Sequence, residues 1–80
     1  MRVKIHVTLK EGVLDPQGKA IQKSLGALGF KSVSDVRMGK YFEVELREGL
    51  SKAEAEKELV EMCEKLFANV TIEQYSFAIE

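Results

Sequence analysis

Few residues in this chain have the means to do chemistry. His6 and Cys63 are the only histidine and the only cysteine. A metal site needs several such ligands at a set spacing, as in CxxC or HxxxH, and neither spacing occurs. His6 falls on the polar side of an alternating run, where an imidazole faces solvent or a partner. Cys63 falls within an apolar helical stripe, with no adjacent His or basic side chain to stabilise a thiolate, and reads as a core residue. The carboxylates Glu54, Glu56, Glu58, Glu61 and Glu64 follow one helical segment. Acid–base catalysis needs ionisable groups that converge in a pocket. These glutamates instead form a solvated face with lysine partners at i,i+4 spacing, Glu61 to Lys65 being one example.

The stretch GVLDPQGK, Gly12 to Lys19, has glycines and a lysine in the manner of a phosphate loop. It fits neither GxxxxGK[ST] nor GxGxxG. Pro16 removes an amide donor at the helix start, and the Asp15 carboxylate opposes an anion there. A capped helix start is the simpler reading. RNA recognition on a sheet needs aromatics on the central strands with basic groups beside them. Tyr41 and Phe42 are adjacent, so only one of them can face outward. With 12 basic and 13 acidic residues the formal charge is −1, which leaves no excess to attract phosphate backbones or anionic lipid.

The elements that must position these groups follow from periodicity. Val3, Ile5, Val7 and Leu9 alternate with polar residues, as in a half-buried strand. Asp15 and Pro16 are N-cap and N1 of a helix predicted from Pro16 to about Leu28, with Ala20, Ile21, Ser24, Leu25 and Leu28 as its inner stripe and Gly29 as its left-handed stop. Two strands are predicted next, Lys31 to Met38 and Lys40 to Arg47, joined at Gly39 as a turn residue needing positive φ. Val33 and Val36 cannot share a face of a flat strand, which points to a bulge or a late start. Ser51-Lys52-Ala53-Glu54 is a capping box opening a second helix to about Phe67. Its stripe is Ala55, Leu59, Met62, Cys63 and Leu66, and Asn69 is its left-handed stop. Val70 to Ile79 is a last strand.

The order β-α-β-β-α-β predicts a single α+β domain over residues 1–80. It would be ferredoxin-like, a four-stranded antiparallel sheet with two helices on one face. Tyr41, Tyr75, Phe77 and Ile79 differ in parity from several expected core positions. They are the expected oligomer interface, on the open face or an edge. The start MRVKIHVTLK has no continuous apolar stretch, so neither a signal peptide nor a membrane span is expected, and the expected location is cytoplasmic. The residues alone describe a small interaction domain.

Three motifs carry a resemblance. VTLKEGVLDPQGKAIQKSLGALGF, VRMGKYFEVEL and MCEKLFANVTIEQYSFAIE, in that order and spacing, are similar to the PurS family across essentially the whole chain. Where this family often has Pro after Ala68-Asn69, the chain has Val70. The resemblance implies the small subunit of multi-subunit phosphoribosylformylglycinamidine synthase, in purine biosynthesis. That complex uses ATP and glutamine; the small subunit is expected to bind no cofactor or metal and to hold no catalytic residue. Its implied partners are a PurL-type synthase subunit, a PurQ-type glutaminase subunit, and itself as a homodimer or dimer of dimers, with no nucleic acid or membrane. Within the matched motifs, Val13, Leu14, Asp15, Pro16, Gln17 and Gly18 form one expected partner-facing corner, and Arg37, Gly39 and Lys40 a second on the hairpin. Two rival classes share the element order. An ACT-like regulatory domain would hold a small molecule at a dimer interface. An acylphosphatase-like enzyme would want an arginine near the first loop, where this chain has only Lys10 and Lys19.

Overall fold

The computed structural model describes residues 1–80. Strand β1 (Arg2–Leu9) is central, flanked by β2 (Gly39–Glu45) and β3 (Glu73–Ile79), both antiparallel to it. Helix α1 (Pro16–Ala27) follows β1, and α2 (Lys52–Met62) follows β2 and continues as a π-helical turn, Cys63–Phe67. Val3, Ile5 and Val7 lie opposite Val44, Phe42 and Lys40 on one side and Ile79, Phe77 and Tyr75 on the other. Residues in register share a face, so this side of the sheet is apolar almost throughout. Ala55, Leu59 and Cys63 of the α2 limb close over it, fully buried with Val3, Ile5 and Val7. Each large aliphatic side chain so buried contributes roughly 1.5–3 kcal/mol.

The opposite face is polar. Arg2, Lys4 and His6 lie across from Glu45, Glu43 and Tyr41. Arg2 pairs with Glu45 at 3.8 Å, Lys4 with Glu80 at 2.7 Å, and the His6 and Tyr41 rings lie 4.8 Å apart. The Glu80 carboxylate raises the Lys4 ammonium above its ordinary value, and Lys4 in turn holds Glu80 below its own.

The sheet therefore has three strands where four were predicted. Residues 31–38 form no strand. Instead they run back along α1, held by side-chain bonds: Gln22 Nε2 donates to the Ser34 carbonyl at 3.0 Å, and Lys19 pairs with Asp35 at 3.4 Å. The parity mismatch of Val33 and Val36 belongs to this irregular path. With no strand there, Gly39 is not a hairpin turn, and its φ is not positive. It opens β2 under Val7, where a Cβ would stand 2.3 Å from the Val7 carbonyl oxygen.

Helix α1 begins and ends as its sequence dictates but packs differently. Asp15 caps it, Pro16 sits in its first turn, and Gly29 takes φ +100°. The Phe30 amide donates to the Leu25 carbonyl and the Gly29 amide to that of Gly26, the paired bonds of a Schellman stop. Of the expected inner stripe, Ala20, Ile21, Ser24 and Leu28 are exposed, and only Leu25 is half-buried. No residue of α1 joins the core cluster or the half-buried side chains packed on it. The α1 limb projects from the sheet as an arm, giving an extent of 51 × 25 × 14 Å.

The second helix starts at Ser51, whose hydroxyl accepts the Glu54 amide at 3.1 Å. The reciprocal half differs from the standard box: Glu54 Oε1 accepts from that hydroxyl rather than from the backbone. At the far end the Ala68 amide donates to the Cys63 carbonyl, an i→i+5 bond that inserts one residue. The stripe turns as a result. Leu66, expected inside, is 79% exposed, and Phe67 swings in to pack on Phe42 with ring centroids 4.6 Å apart. Asn69 does not adopt positive φ. It stops the helix through a turn: its carbonyl accepts the Ile72 and Glu73 amides, and its side chain accepts the Thr71 amide.

Candidate functional site: the arm–sheet junction

The two expected partner corners meet in space. Asp15 Oδ1 accepts the Gly18 amide at 2.8 Å, the N-cap bond, while Oδ2 accepts the Met38 amide, also at 2.8 Å. One carboxylate thus starts α1 and ties the return of the arm to that start. It is 5% exposed. The Gly18 and Met38 amides, then the Arg37 charge, hold its carboxyl below the ordinary value. Arg37 completes the knot, with Nη2 donating to the Leu9 and Lys10 carbonyls at 2.9 Å each. Leu9 ends β1 and Lys10 follows it, so the guanidinium pins the arm to the end of that strand. Gly18 lies against the Val36 carbonyl oxygen, which a Cβ would approach to 2.2 Å.

Lys40 extends the junction toward α2. Its ammonium lies 3.2 Å from the Phe67 carbonyl and 3.6 Å from Glu73. Thr8, Asp15, Gln17, Lys40 and Glu73 line a groove of about 300 Å³ there. On the other side of the knot, Glu11, Asp35, Arg37 and Gln74 line a second groove, about 390 Å³. Both are partly open, and most of the residues that line them are polar or charged.

The expected surface therefore divides. Asp15 and Gly18 are buried and hold the junction together. Leu14, Pro16, Gln17, Arg37 and Lys40 are exposed around it, and Val13 is half-buried. Sequence reading separated the two corners because it placed 37–40 on a hairpin. The Asp15–Met38 and Arg37–Leu9 bonds have no sequence signature, since each reads a backbone atom far along the chain.

The four residues expected at an oligomer interface also divide. Tyr41 is on the polar open face, its hydroxyl donating to Glu43 at 3.0 Å. Tyr75, Phe77 and Ile79 sit on the apolar, α2-covered face of the edge strand β3, each half-buried. The Tyr75 hydroxyl donates to Glu64 at 2.9 Å, and that bond, with burial, raises its pKa. Cys63 is buried, and burial followed by the Glu64 charge pushes its thiol up. A thiol raised in this way is packing, not a nucleophile.

Nothing in this geometry gathers a nucleophile with a base and an electrophilic pocket. The α+β domain exposes a polar sheet face, a pinned arm, and grooves at their junction. The family described as PurS, phosphoribosylformylglycinamidine (FGAM) synthase, matches residues 2–80, and the chain belongs to that family. The PurS subunit of Bacillus subtilis is 46% identical over 79 residues, covering 99% of this chain and 92% of the relative. That of Archaeoglobus fulgidus is 50% identical over 72 residues, 90% of this chain and 89% of the relative. Among solved structures, B. subtilis PurS superimposes with TM-score 0.88, covering 99% of this chain and 96% of that one. A chain of the structure of PurLQS from Thermotoga maritima superimposes with TM-score 0.86 at 28% identity, over 96% of this chain and 93% of that one.

Proposed function

We propose that this chain is the assembly subunit of a phosphoribosylformylglycinamidine synthase complex. It bridges a PurQ-type glutaminase subunit and a PurL-type, ATP-dependent synthase subunit, and it works in the cytoplasm as a homodimer or dimer of dimers. The observation that carries the reading is the family match over nearly every residue, together with the likeness to a chain of a PurLQS structure. Cytoplasmic work agrees with a chain in which no helix is long and apolar enough to cross a membrane.

The chemistry explains why such a complex needs a bridging domain. Ammonia released into bulk water at neutral pH largely protonates and ceases to be a nucleophile. A path between subunits keeps it neutral and delivers it to the activated amide, a proximity effect. The bridging domain contributes position rather than proton transfer. Leu14, Pro16, Gln17, Arg37 and Lys40 form the partner-facing surface in this reading. Asp15 and Gly18 set its shape from behind, and Val13 and Gly39 support its edges.

Reconstitution tests the proposal. Mixed with PurL-type and PurQ-type subunits, the chain should be required for glutamine-dependent synthesis. Equal glutamine-dependent activity without it would overturn the role. Gln17→Ala, Arg37→Ala and Lys40→Ala, each checked for folding, test the surface. Undiminished glutamine-dependent activity in all three removes the surface assignment and leaves the role standing.

A further inference from the structure

Strand β3 is an edge, since the sheet ends there in the order β2-β1-β3. Its register decides which backbone groups that edge leaves open. The Glu80 amide donates to the Arg2 carbonyl and the Lys10 amide to the Ile72 carbonyl, both at 2.8 Å. Bonded and unbonded pairs alternate along an antiparallel ladder. Gln74, Ser76 and Ala78 therefore turn their backbone toward β1, and Tyr75, Phe77 and Ile79 turn theirs away. No loop or turn bonds to the N–H or C=O of those last three.

An open edge is a template for another strand, and folded chains blunt it with charge, proline or a covering element. The other edge, β2, carries Lys40, Glu43 and Glu45. Between Glu73 and Glu80, β3 has neither a charged residue nor a proline. Tyr75, Phe77 and Ile79 are half-buried on the apolar face, and the residues between them are exposed and uncharged.

Position names the occupant. Glu73, where β3 begins, lines the junction groove with Gln17 and Lys40, and Gln74 lines the second groove beside Arg37. A partner seated on the junction surface thus stands at the head of the open edge. We infer that an extended segment of that partner subunit adds to β3 as a fourth strand. The edge sets the segment's chemistry: apolar side chains at alternate positions to meet Tyr75, Phe77 and Ile79, with uncharged ones between. Backbone bonds hold such a strand and the alternate side chains select it. This rests on the bridging role above and adds where the partner's chain runs.

Hydrogen exchange of the full chain, read residue by residue, tests the pairing alone and in the reconstituted complex. Alone, the Ser76 and Ala78 amides should be protected and those of Tyr75, Phe77 and Ile79 should exchange freely. In the complex these three should slow about tenfold or more, as one backbone bond each allows. Free exchange there within the complex overturns the inference and leaves the bridging role intact. Protection already present in the chain alone means that a second copy holds the edge, which also overturns it. Failure of the chain to enter the complex overturns both. A chain made by ligation with an N-methyl group on the Phe77 amide gives a second reading. That nitrogen faces away from β1, so far-UV circular dichroism should be unchanged while affinity for the partner falls about tenfold. Undiminished affinity in the folded variant overturns the inference.

Discussion

Asp15 and Met38 are 23 positions apart in the chain, yet the Asp15 carboxylate accepts the Met38 amide at 2.8 Å with the oxygen that its N-cap bond leaves free. The helix cap and the closure of the arm are one interaction. Asp15→Asn keeps the size and loses the charge that strengthens both bonds. Hydrogen exchange should accelerate at the Gly18 and Met38 amides together. Acceleration at Gly18 alone would show that the two ends of the arm are held independently.

The same carboxylate sets an acid limit. Its folded pKa lies below the ordinary 3.8 of the free group. The stability it contributes is therefore complete above that value and is lost as pH falls through the lower, folded one. Acid titration of the wild type should show the arm loosening in that range, read as exchange at Met38. Asp15→Asn should flatten this limb while starting from a looser arm at neutral pH. A variant with the wild-type acid profile would remove Asp15 as the cause.

Glycines offer opposed outcomes. At Gly18 and Gly39 a Cβ would stand 2.2 and 2.3 Å from backbone carbonyl oxygens, while at Gly26 it meets nothing within 4 Å. Gly18→Ala and Gly39→Ala should each destabilise by about 2 kcal/mol or more, since backbone must move. Gly26→Ala lies inside a helix and should stabilise by roughly 0.5–1 kcal/mol. Chemical denaturation of the three variants reads the signs.

The π-helical turn makes a contrast between neighbours. Leu66 is exposed and Phe67 packs on Phe42. Leu66→Gln should change stability by no more than about 0.5 kcal/mol. Phe67→Ala should cost about 2 kcal/mol, below the usual range for a fully buried phenylalanine. Equal costs would mean that the stripe had not turned.

Cys63 should behave as a core atom. Its thiol is buried and its pKa raised. Maleimide labelling of the folded protein should be slow at pH 8 and should track unfolding in denaturant. Rapid labelling without denaturant would contradict the packing.

What the sequence made legible was local. The alternation of Val3, Ile5 and Val7, the Asp15-Pro16 start, the Gly29 stop and the Ser51 cap each depend on residues a few positions apart, and each stands in the structure. The failures came where a long-range partner decides. Residues 31–38 have apolar side chains, but their backbone pairs with no strand; side-chain bonds hold them instead, to α1 at Ser34 and Asp35 and to the end of β1 through Arg37. Ile21 and Leu28 have helical spacing, but no apolar face lies opposite them within the chain. Leu66 lost its expected place to a single i→i+5 bond, which no periodicity announces. For the candidate site, the motifs gave no sign that their residues meet at one junction, because Asp15 and Arg37 bind backbone atoms and leave no pattern in side-chain types.

That last property bears on how the chain can vary. Arg37 grips the carbonyls of Leu9 and Lys10, atoms every amino acid has. Substitution at position 10, whose side chain the grip does not touch, leaves the hold in place, whereas position 37 needs its guanidinium. A saturation library scored for folding should therefore be permissive at 10 and strict at 37. Lineages can drift in one half of this contact while the other half stays still.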